Sequence, residues 1–310
     1  MSDWKQEFHE LFFNSTNADA KTRAFELKNE NIPSRLFRYR PLNEYTLSEL
    51  INGTVYIQNP SNFNDPYDSW IKFTTLEGIN KSGSQDLFRR FLSSHYPEEK
   101  LNDIFSSPNW FFDLYKFIFQ ENGIDLLNTA VMPLVEDTNM QANLMGRQMM
   151  KVCCFTEINN SLAMWAHYTK GYTGICVEYD MTKFSNDDIH RIRMFPVIYV
   201  KELIEYAKRY SDAPSSYYTK DIFLECSLHK LEEWSYEREW RFNIGNGIIE
   251  NDTNYLFPVI KAIYMGYRVT DAHQTMLLDI TKHKGYSLTR MKIMSYGLDF
   301  DSVYEPSDNP

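Results

Sequence analysis

The chain has 310 residues, of which 43% are hydrophobic and 24% charged, and its formal net charge is −10. This composition predicts a folded chain with a substantial core, organised as one large domain or two small ones. The negative charge argues against sequence-independent binding to nucleic acid, which needs clustered Lys and Arg, although it does not exclude a local basic groove.

The N-terminus and the cysteines predict a cytoplasmic protein with no membrane partner. The first residues, MSDWKQEFHE, lack the basic-then-apolar pattern of a signal peptide, and no apolar run reaches the length of about 18 residues that spans a membrane. The four cysteines form no C-x-x-C motif, and the neighbours Cys153 and Cys154 would point to opposite faces of a strand. We therefore expect reduced thiols in a reducing compartment.

Hydrophobic periodicity predicts an α+β fold in three parts: a helical leader at 1–30, a single α+β domain at 31–300 and a flexible tail at 301–310. The expected strands are 35–40, 54–58, 152–155, 175–179, 195–199, 240–244, 258–265 and 287–293. The expected helices are 42–51, 159–168, 200–209, 217–231 and 270–284. A helical insertion is predicted at about 77–150, with helices at 87–92, 101–105, 110–119, 124–134 and 140–150.

Three polar clusters stand out on the predicted elements. They are Arg38, Tyr39 and Arg40 on the first strand; Trp165, His167 and Tyr168 on the central helix; and Glu237, Glu239 and Arg241 on a late strand. Each has a structural explanation of its own, as an edge strand, a set of core aromatics or a surface ion pair. Together they supply a cation, an aromatic platform and a carboxylate, which suit a charged, planar, sugar-bearing ligand such as NAD.

Residues 59–69 form a loop that is dense in turn residues and includes Asn64 and Asp65. The loop is either a rigid structural connection or one wall of a ligand site. It lacks the spacing and the glycine of an EF-hand, and the seven histidines are scattered, so no metal site is expected. Motifs of P-loops, dinucleotide-binding glycine turns, zinc peptidases and nucleophile elbows are absent.

Three stretches resemble a bacterial family catalogued as domain of unknown function 2971. They are LFRYRP followed by FNDPYD, then CFTEINNSLAMWAHYTKGYTGICVEYD, then KLEEWSYEREWRF. Their order and spacing fit the family over nearly the whole chain, from about residue 36 to 295. This resemblance implies a soluble cytosolic protein, in settings that include anti-phage defence and toxins, and it brings no established activity.

The chain is also similar in pattern to the ADP-ribosyltransferase superfamily, and this implies a split or strongly bent β-sheet core. Residues 36–57 resemble the first block of that superfamily, with Arg38 or Arg40 on the phosphates of NAD. The second block would place Tyr168 near the nicotinamide, and the third would make Glu239 the catalytic carboxylate, with Glu237 two residues earlier. The Ser-Thr-Ser strand of the superfamily is missing, and EREWRF equally suits a structural ion-pair strand.

The resemblance therefore implies an ADP-ribosyltransferase-like enzyme or NAD glycohydrolase that uses NAD as co-substrate, as a defence effector or toxin. Its catalytic residues would be Glu239, Glu237 and Tyr168, and its NAD-binding residues would be Arg38, Tyr39, Arg40, Asn64, Asp65, Trp165, His167 and Arg241.

Two other functions remain open from the sequence. A nuclease-like effector would use the Asp/Asn-rich loop and EREWR, and it would require a divalent metal and a basic groove. A non-catalytic sensor of a defence system would leave the three clusters apart in space. The sequence does not decide whether the acceptor is a protein or a nucleic acid, nor what the oligomeric state is.

Overall fold

A computed structural model of the chain describes residues 3–15, 17–70, 85–94, 96–122, 132–203, 221–245, 251 and 253–306. These residues form helices around one large mixed β-sheet, which confirms the predicted α+β class. No helix in these ranges combines the length and the apolar character that crossing a bilayer requires. None of the four cysteines forms a disulfide, as the sequence predicts.

The strands are β1 (Arg35–Arg40), β2 (Thr54–Ile57), β3 (Met150–Thr156), β4 (Ile175–Asp180), β5 (Met194–Pro196), β6 (Ile198–Val200), β7 (His229–Leu231), β8 (Glu239–Gly245), β9 (Thr253–Leu256), β10 (Ile260–Met265), β11 (Ser287–Met294) and β12 (Gly297–Tyr304). The α-helices are α1 (Asp3–Phe13), α2 (Ala18–Asn31), α3 (Glu44–Asn52), α4 (Gln85–Leu92), α5 (Glu98–Phe105), α6 (Trp110–Asn122), α7 (Met132–Gln148), α8 (Leu162–Tyr168), α9 (Ile189–Ile192), α10 (Asp221–Cys226) and α11 (Asp271–Lys284).

The large sheet has the strand order β12-β11-β10-β4-β1-β3-β8-β5. Its neighbours are antiparallel except β10 and β11, which are parallel because α11 crosses over between them. Two small sheets flank it, one of β2 with β9 and one of β6 with β7.

The shortest pairing in the large sheet lies between β1 and β3, and we call this place the β1–β3 seam. β1 pairs with β4 over six residue pairs and β3 pairs with β8 over seven, whereas β1 and β3 pair only at Phe37 and Thr156. Away from that pair the two strands diverge. Their side chains there are available to line a cavity.

Hydrophobic clusters cover both faces of the sheet. Successive residues of β4 alternate, with Val177 in the larger cluster beneath α3 and α11 and Cys176 in the cluster beneath α8. Helices α1 and α2 pack against β3 and β5 through a third cluster that includes Phe8 and Phe195. Helices α4 to α6 share a separate cluster around Trp110.

Two predictions near the C-terminal half were wrong in detail. The run at 195–199 divides between two sheets, because Val197 N donates to Glu239 O whereas Ile198 N donates to Leu228 O. The helix predicted at 217–231 ends at Cys226 within the described residues, and His229–Leu231 form β7.

Other differences concern element limits. The patterns do not predict β9 or β12, and the expected tail boundary at residue 300 falls inside β12. The helix expected at 140–150 is the end of the longer α7. The helices expected at 124–134 and 200–209 lie mostly outside the described residues, although 132–134 belong to α7 and residue 200 ends β6.

Candidate functional site

A cavity of about 350 Å³ opens at the β1–β3 seam. Residues of β1, β2, β3, α8, β7, β8, the 3₁₀ turn before β8 and the segment after β2 surround it: Phe37, Arg38, Tyr39, Arg40, Tyr56, Gln58, Asn62, Phe63, Asn64, Asp68, Val152, Cys153, Cys154, Phe155, Thr156, Met164, His167, Tyr168, Lys230, Glu237 and Glu239. We call this cavity the cleft. All three polar clusters of the sequence contribute residues to it.

The cationic wall of the cleft is formed by two arginines of β1 that share one carboxylate. Arg38 Nη1 donates to Glu49 Oε2 at 3.2 Å, and Arg40 Nη2 donates to Glu49 Oε1 at 2.6 Å. Glu49 belongs to α3, whose start is fixed by the Asn43 side chain, an acceptor for Thr46 N. Two guanidinium groups and one carboxylate leave one positive charge on this wall.

Arg40 is the more available of the two arginines. Its side chain is 23% exposed, against 7% for Arg38. Burial, and then the charge of Arg38, lower the pKa of Arg40, so the pair would gain from further negative charge nearby. Among the described residues, Arg40 Nε has no hydrogen-bond partner. An anionic ligand at the exposed part of the Arg40 side chain would supply that negative charge.

The opposite wall carries two carboxylates that flank a left-handed residue. A short 3₁₀ helix, Glu232–Glu237, ends at Arg238 with φ 44° and ψ 54°, and β8 begins at Glu239. Because strand residues two apart share a face, Glu239 and Arg241 point the same way, and the turn at Arg238 adds Glu237 to that side. Lys230 Nζ of β7 donates to Glu237 Oε2 at 2.6 Å and to Glu239 Oε2 at 3.2 Å.

Arg241 lies beneath this wall and does not line the cleft, contrary to its predicted role as an NAD contact. Its side chain is 0% exposed. It holds Asp68 in a two-pronged pair, with Nη1–Oδ1 at 2.8 Å and Nη2–Oδ2 at 2.6 Å, and its Nε donates to Glu239 Oε1 at 2.7 Å. Arg241 therefore positions Glu239 from behind.

The pKa values of the two glutamates move in opposite directions. Burial would raise the pKa of Glu239, but Arg241 and then Lys230 outweigh it and lower that pKa well below its ordinary value. Burial, and then the charge of Glu239, raise the pKa of Glu237. Two carboxyl groups whose pKa values differ in this way can take different chemical roles. One group stays ionised while the other exchanges a proton.

The aromatic side of the cleft comes from α8, which begins at the cap residue Ser161. The Tyr168 hydroxyl donates to Glu237 Oε1 at 2.6 Å. Burial, and then the charge of Glu237, raise the pKa of Tyr168, so its hydroxyl remains a neutral donor. His167 lines the cleft beside Tyr168.

Two further predicted contacts lie behind the walls of the cleft. Trp165 is fully buried, and its Nε1 donates to Asn159 O at 2.8 Å. Its ring packs edge-on against the ring of Tyr39, with the two centroids 5.2 Å apart. Asp65 is also buried, and its Oδ1 accepts from Tyr67 N at 2.9 Å, which shapes the loop that presents Asn64. Neither residue lines the cleft.

The sequence patterns do not assign Lys230 or Asp68 to the site. The helix predicted at 217–231 includes Lys230, and no helical pattern relates this residue to Glu237 or Glu239. Once residues 229–231 are placed in a strand, alternation puts His229 and Lys230 on opposite faces, which is the signal that would have revealed Lys230. Asp68 lies in the polar loop already noted, but its pairing with Arg241 spans 173 positions.

A family model matches one stretch of the chain, and that stretch forms part of this site. No curated protein and no solved structure matches the chain. The matched stretch begins in α8, ends in β8 and includes Tyr168, Lys230, Glu237, Glu239 and Arg241. Residues 164–242 match the model of the family described as Protein of unknown function (DUF2971), which confirms the resemblance to that family over this stretch.

Proposed function

We propose that the cleft binds NAD and that the protein is an ADP-ribosyltransferase-like enzyme or NAD glycohydrolase. The observation that carries this proposal is the meeting of Arg38 and Arg40 with Tyr168, Glu237 and Glu239 around one cavity. The cavity lies where the large sheet is joined by a single residue pair, an arrangement that suits a split sheet.

The binding half of the proposal rests on the cationic wall. The pyrophosphate of NAD would lie against the exposed part of Arg40, with the more buried Arg38 behind it. The nicotinamide ribose would then reach the wall of Tyr168 and Glu237. A cavity of about 350 Å³ falls at the small end of ligand pockets, so part of the dinucleotide would extend beyond it.

The proposed reaction depends on the carboxylates of the cleft. Asp68, Glu237 and Glu239 face Lys230 and Arg241, so the cluster keeps one negative charge when all five groups are ionised. That charge would stabilise the oxocarbenium-like ribose that forms as nicotinamide leaves.

In the proposed reaction, the bond between ribose C1′ and the nicotinamide ring nitrogen breaks, and its electron pair stays on that nitrogen. An oxygen of water or of an acceptor forms the new bond to C1′, and its proton passes to Glu237. Glu239 stays ionised throughout because Arg241 and Lys230 hold its pKa low.

The carboxylates of the cleft also bear on the nuclease alternative. Asp68 and Glu239 are both held by Arg241, at 2.6 Å and 2.7 Å. A divalent ion would have to displace that buried guanidinium, so this geometry favours an organic ligand with a cationic transition state over metal-dependent cleavage.

The proposal is tested by measuring nicotinamide release from NAD by wild type and by Glu237→Gln. We expect release by wild type and a loss of at least about 100-fold in the variant, the scale of general acid–base catalysis. Glu237→Gln keeps the size of the side chain and an oxygen that can still accept a hydrogen bond from Tyr168 or Lys230.

Glu233→Gln is the matched control, because Glu233 lies in the same 3₁₀ helix with an exposed side chain. It should release nicotinamide at the wild-type rate. Equal rates in wild type and Glu237→Gln would remove Glu237 from the mechanism.

A further inference from the structure

We propose that His9, Glu225 and His229 form a binding site for a divalent transition-metal ion, with Zn²⁺ as the best match to the donor set. The three residues come from α1, α10 and β7, and their ligand atoms all lie within 4.8 Å of one another. Two imidazoles and one glutamate are a known protein ligand set for zinc. This site is separate from the cleft and independent of the proposed NAD chemistry.

The first support is the geometry between His9 and Glu225. His9 Nε2 lies 2.7 Å from Glu225 Oε1, yet this nitrogen is shielded from solvent and makes no hydrogen bond of regular geometry among the described residues. The two atoms are near enough to bind one ion. Ligand atoms on one tetrahedral zinc lie about 3.3 Å apart, as bond lengths of about 2.0–2.1 Å require, so Nε2 and Oε1 would move roughly 0.6 Å apart to admit the ion.

The second support is the orientation of His229. Its Nδ1 lies 2.6 Å from the backbone oxygen of Glu225. When Nδ1–H donates to that carbonyl, Nε2 keeps its lone pair, and this is how metal-binding imidazoles are usually held. The rings of His9 and His229 meet edge-on, with centroids 5.0 Å apart, so both can direct a nitrogen towards a common point.

The third support is burial. The Glu225 side chain is 0% exposed and that of His9 is 12% exposed. Buried charged groups in proteins are paired or coordinate metal ions, and an ion held by Glu225 and the two imidazoles would be shielded from solvent. Three protein ligands leave the fourth position of zinc to water, and the burial leaves little room there for a substrate.

The ion would tie the N-terminal helix to the strand that supports the cleft. His229 and Lys230 are neighbours on β7, with His229 against α1 and Lys230 in the cleft. Holding His229 in place therefore also holds Lys230, whose Nζ bonds to Glu237 and Glu239.

The test uses the untagged full chain after dialysis against a chelator. Zn²⁺ is titrated by calorimetry, and Co²⁺ is titrated by its visible absorption, which reports ligand number and geometry. We expect one equivalent bound by wild type, binding weaker by at least about 100-fold in His9→Gln and in Glu225→Gln, and a rise in the wild-type Tm with Zn²⁺.

The matched control is His273→Gln, which removes an exposed histidine on α11 and should bind as wild type does. The proposal is overturned if folded wild type binds no stoichiometric Zn²⁺ or Co²⁺, or if both ligand variants bind as tightly as wild type. The wild-type titration decides alone if Glu225→Gln and His9→Gln do not fold.

Discussion

At the scale of single residues, Arg241 holds together the carboxylate wall of the cleft. It is fully buried and donates to both oxygens of Asp68 and to Glu239. Removing it would leave two carboxylates buried without their main partner, because Lys230 alone would face three. The ionisation of Glu239 in the cleft therefore depends on a residue that does not line the cleft.

We predict that Arg241→Met lowers the free energy of unfolding by about 3–5 kcal/mol, the usual consequence of breaking a buried ion pair from one side. Urea unfolding followed by circular dichroism measures this. Arg23→Met removes an exposed arginine that pairs with Glu26 and Glu30, and it should leave the midpoint unchanged. A midpoint for Arg241→Met equal to that of Arg23→Met would show that the network contributes nothing to stability.

Lys28 gives a pH-dependent prediction at the same scale. It is buried on α2, and its Nζ donates to Arg191 O at 2.7 Å and to Ile192 O at 3.0 Å. Burial, and then the charges of Arg191 and Arg193, lower the pKa of Lys28 to about 7. The unfolded chain therefore binds a proton that the folded chain lacks between pH 7 and the ordinary lysine value of 10.5.

Stability should consequently rise with pH across that window, and below it the charged lysine destabilises the fold fully. In Lys28→Met the rise should be smaller by an amount on the order of a few kcal/mol. Unfolding midpoints measured at several pH values between 6 and 10 test this. Identical pH profiles for the two proteins would contradict the assignment.

At the scale of elements, local patterns predict the strands that build the cleft but not its full set of walls. β1, β3, β4 and β8 are strong alternating or apolar runs, and all four appear near their expected limits. β7 has only three residues beside a helix, and its partner β6 is parallel, so its pairing depends on tertiary contacts. The same holds for β9, whose partner β2 lies about 200 positions away.

The candidate site, like the fold, could be predicted only in part from local sequence patterns. The residue types and faces of Arg38, Arg40, Tyr168, Glu237 and Glu239 could be predicted, because each lies on an element with a clear local pattern. Which patterned residues face the cavity could not be predicted, since Arg241 and Trp165 are equally patterned but do not line the cleft. The approach of His9 to Glu225 and His229 joins α1 to two neighbouring short elements that lie over 200 positions later in the chain.

Gly174 marks the place where β4 meets the end of β1. A Cβ there would lie 2.2 Å from the backbone oxygen of Arg40, so an alanine would force β1 away. We predict that Gly174→Ala is destabilised by at least about 1–3 kcal/mol, the range for overpacking. Gly245→Ala at the end of β8 is the matched control, with no atom within 4 Å of the added carbon. Urea midpoints that agree for the two variants would show that the contact with Arg40 is not tight.

At the scale of the whole molecule, the large sheet consists of two well-paired halves with the cleft between them. β1 with β4 carries the arginines, and β3 with β8 carries the glutamates. The halves are joined by one residue pair, while α3 supports the first half and β7 supports the second. Separate elements thus hold the arginines and the glutamates on opposite sides of the cleft. This arrangement favours a ligand that has an anionic part and a second part that becomes cationic during the reaction.

The most direct test of this account is a calorimetric titration of NAD into the untagged chain. We predict a single saturable site in wild type and binding weaker by about tenfold or more in Arg40→Gln, the value of one charge-assisted hydrogen bond. Arg23→Gln, an exposed arginine on α2, should bind as wild type does. Folded wild type that takes up no NAD, or Arg40→Gln that binds NAD equally well, would contradict the account.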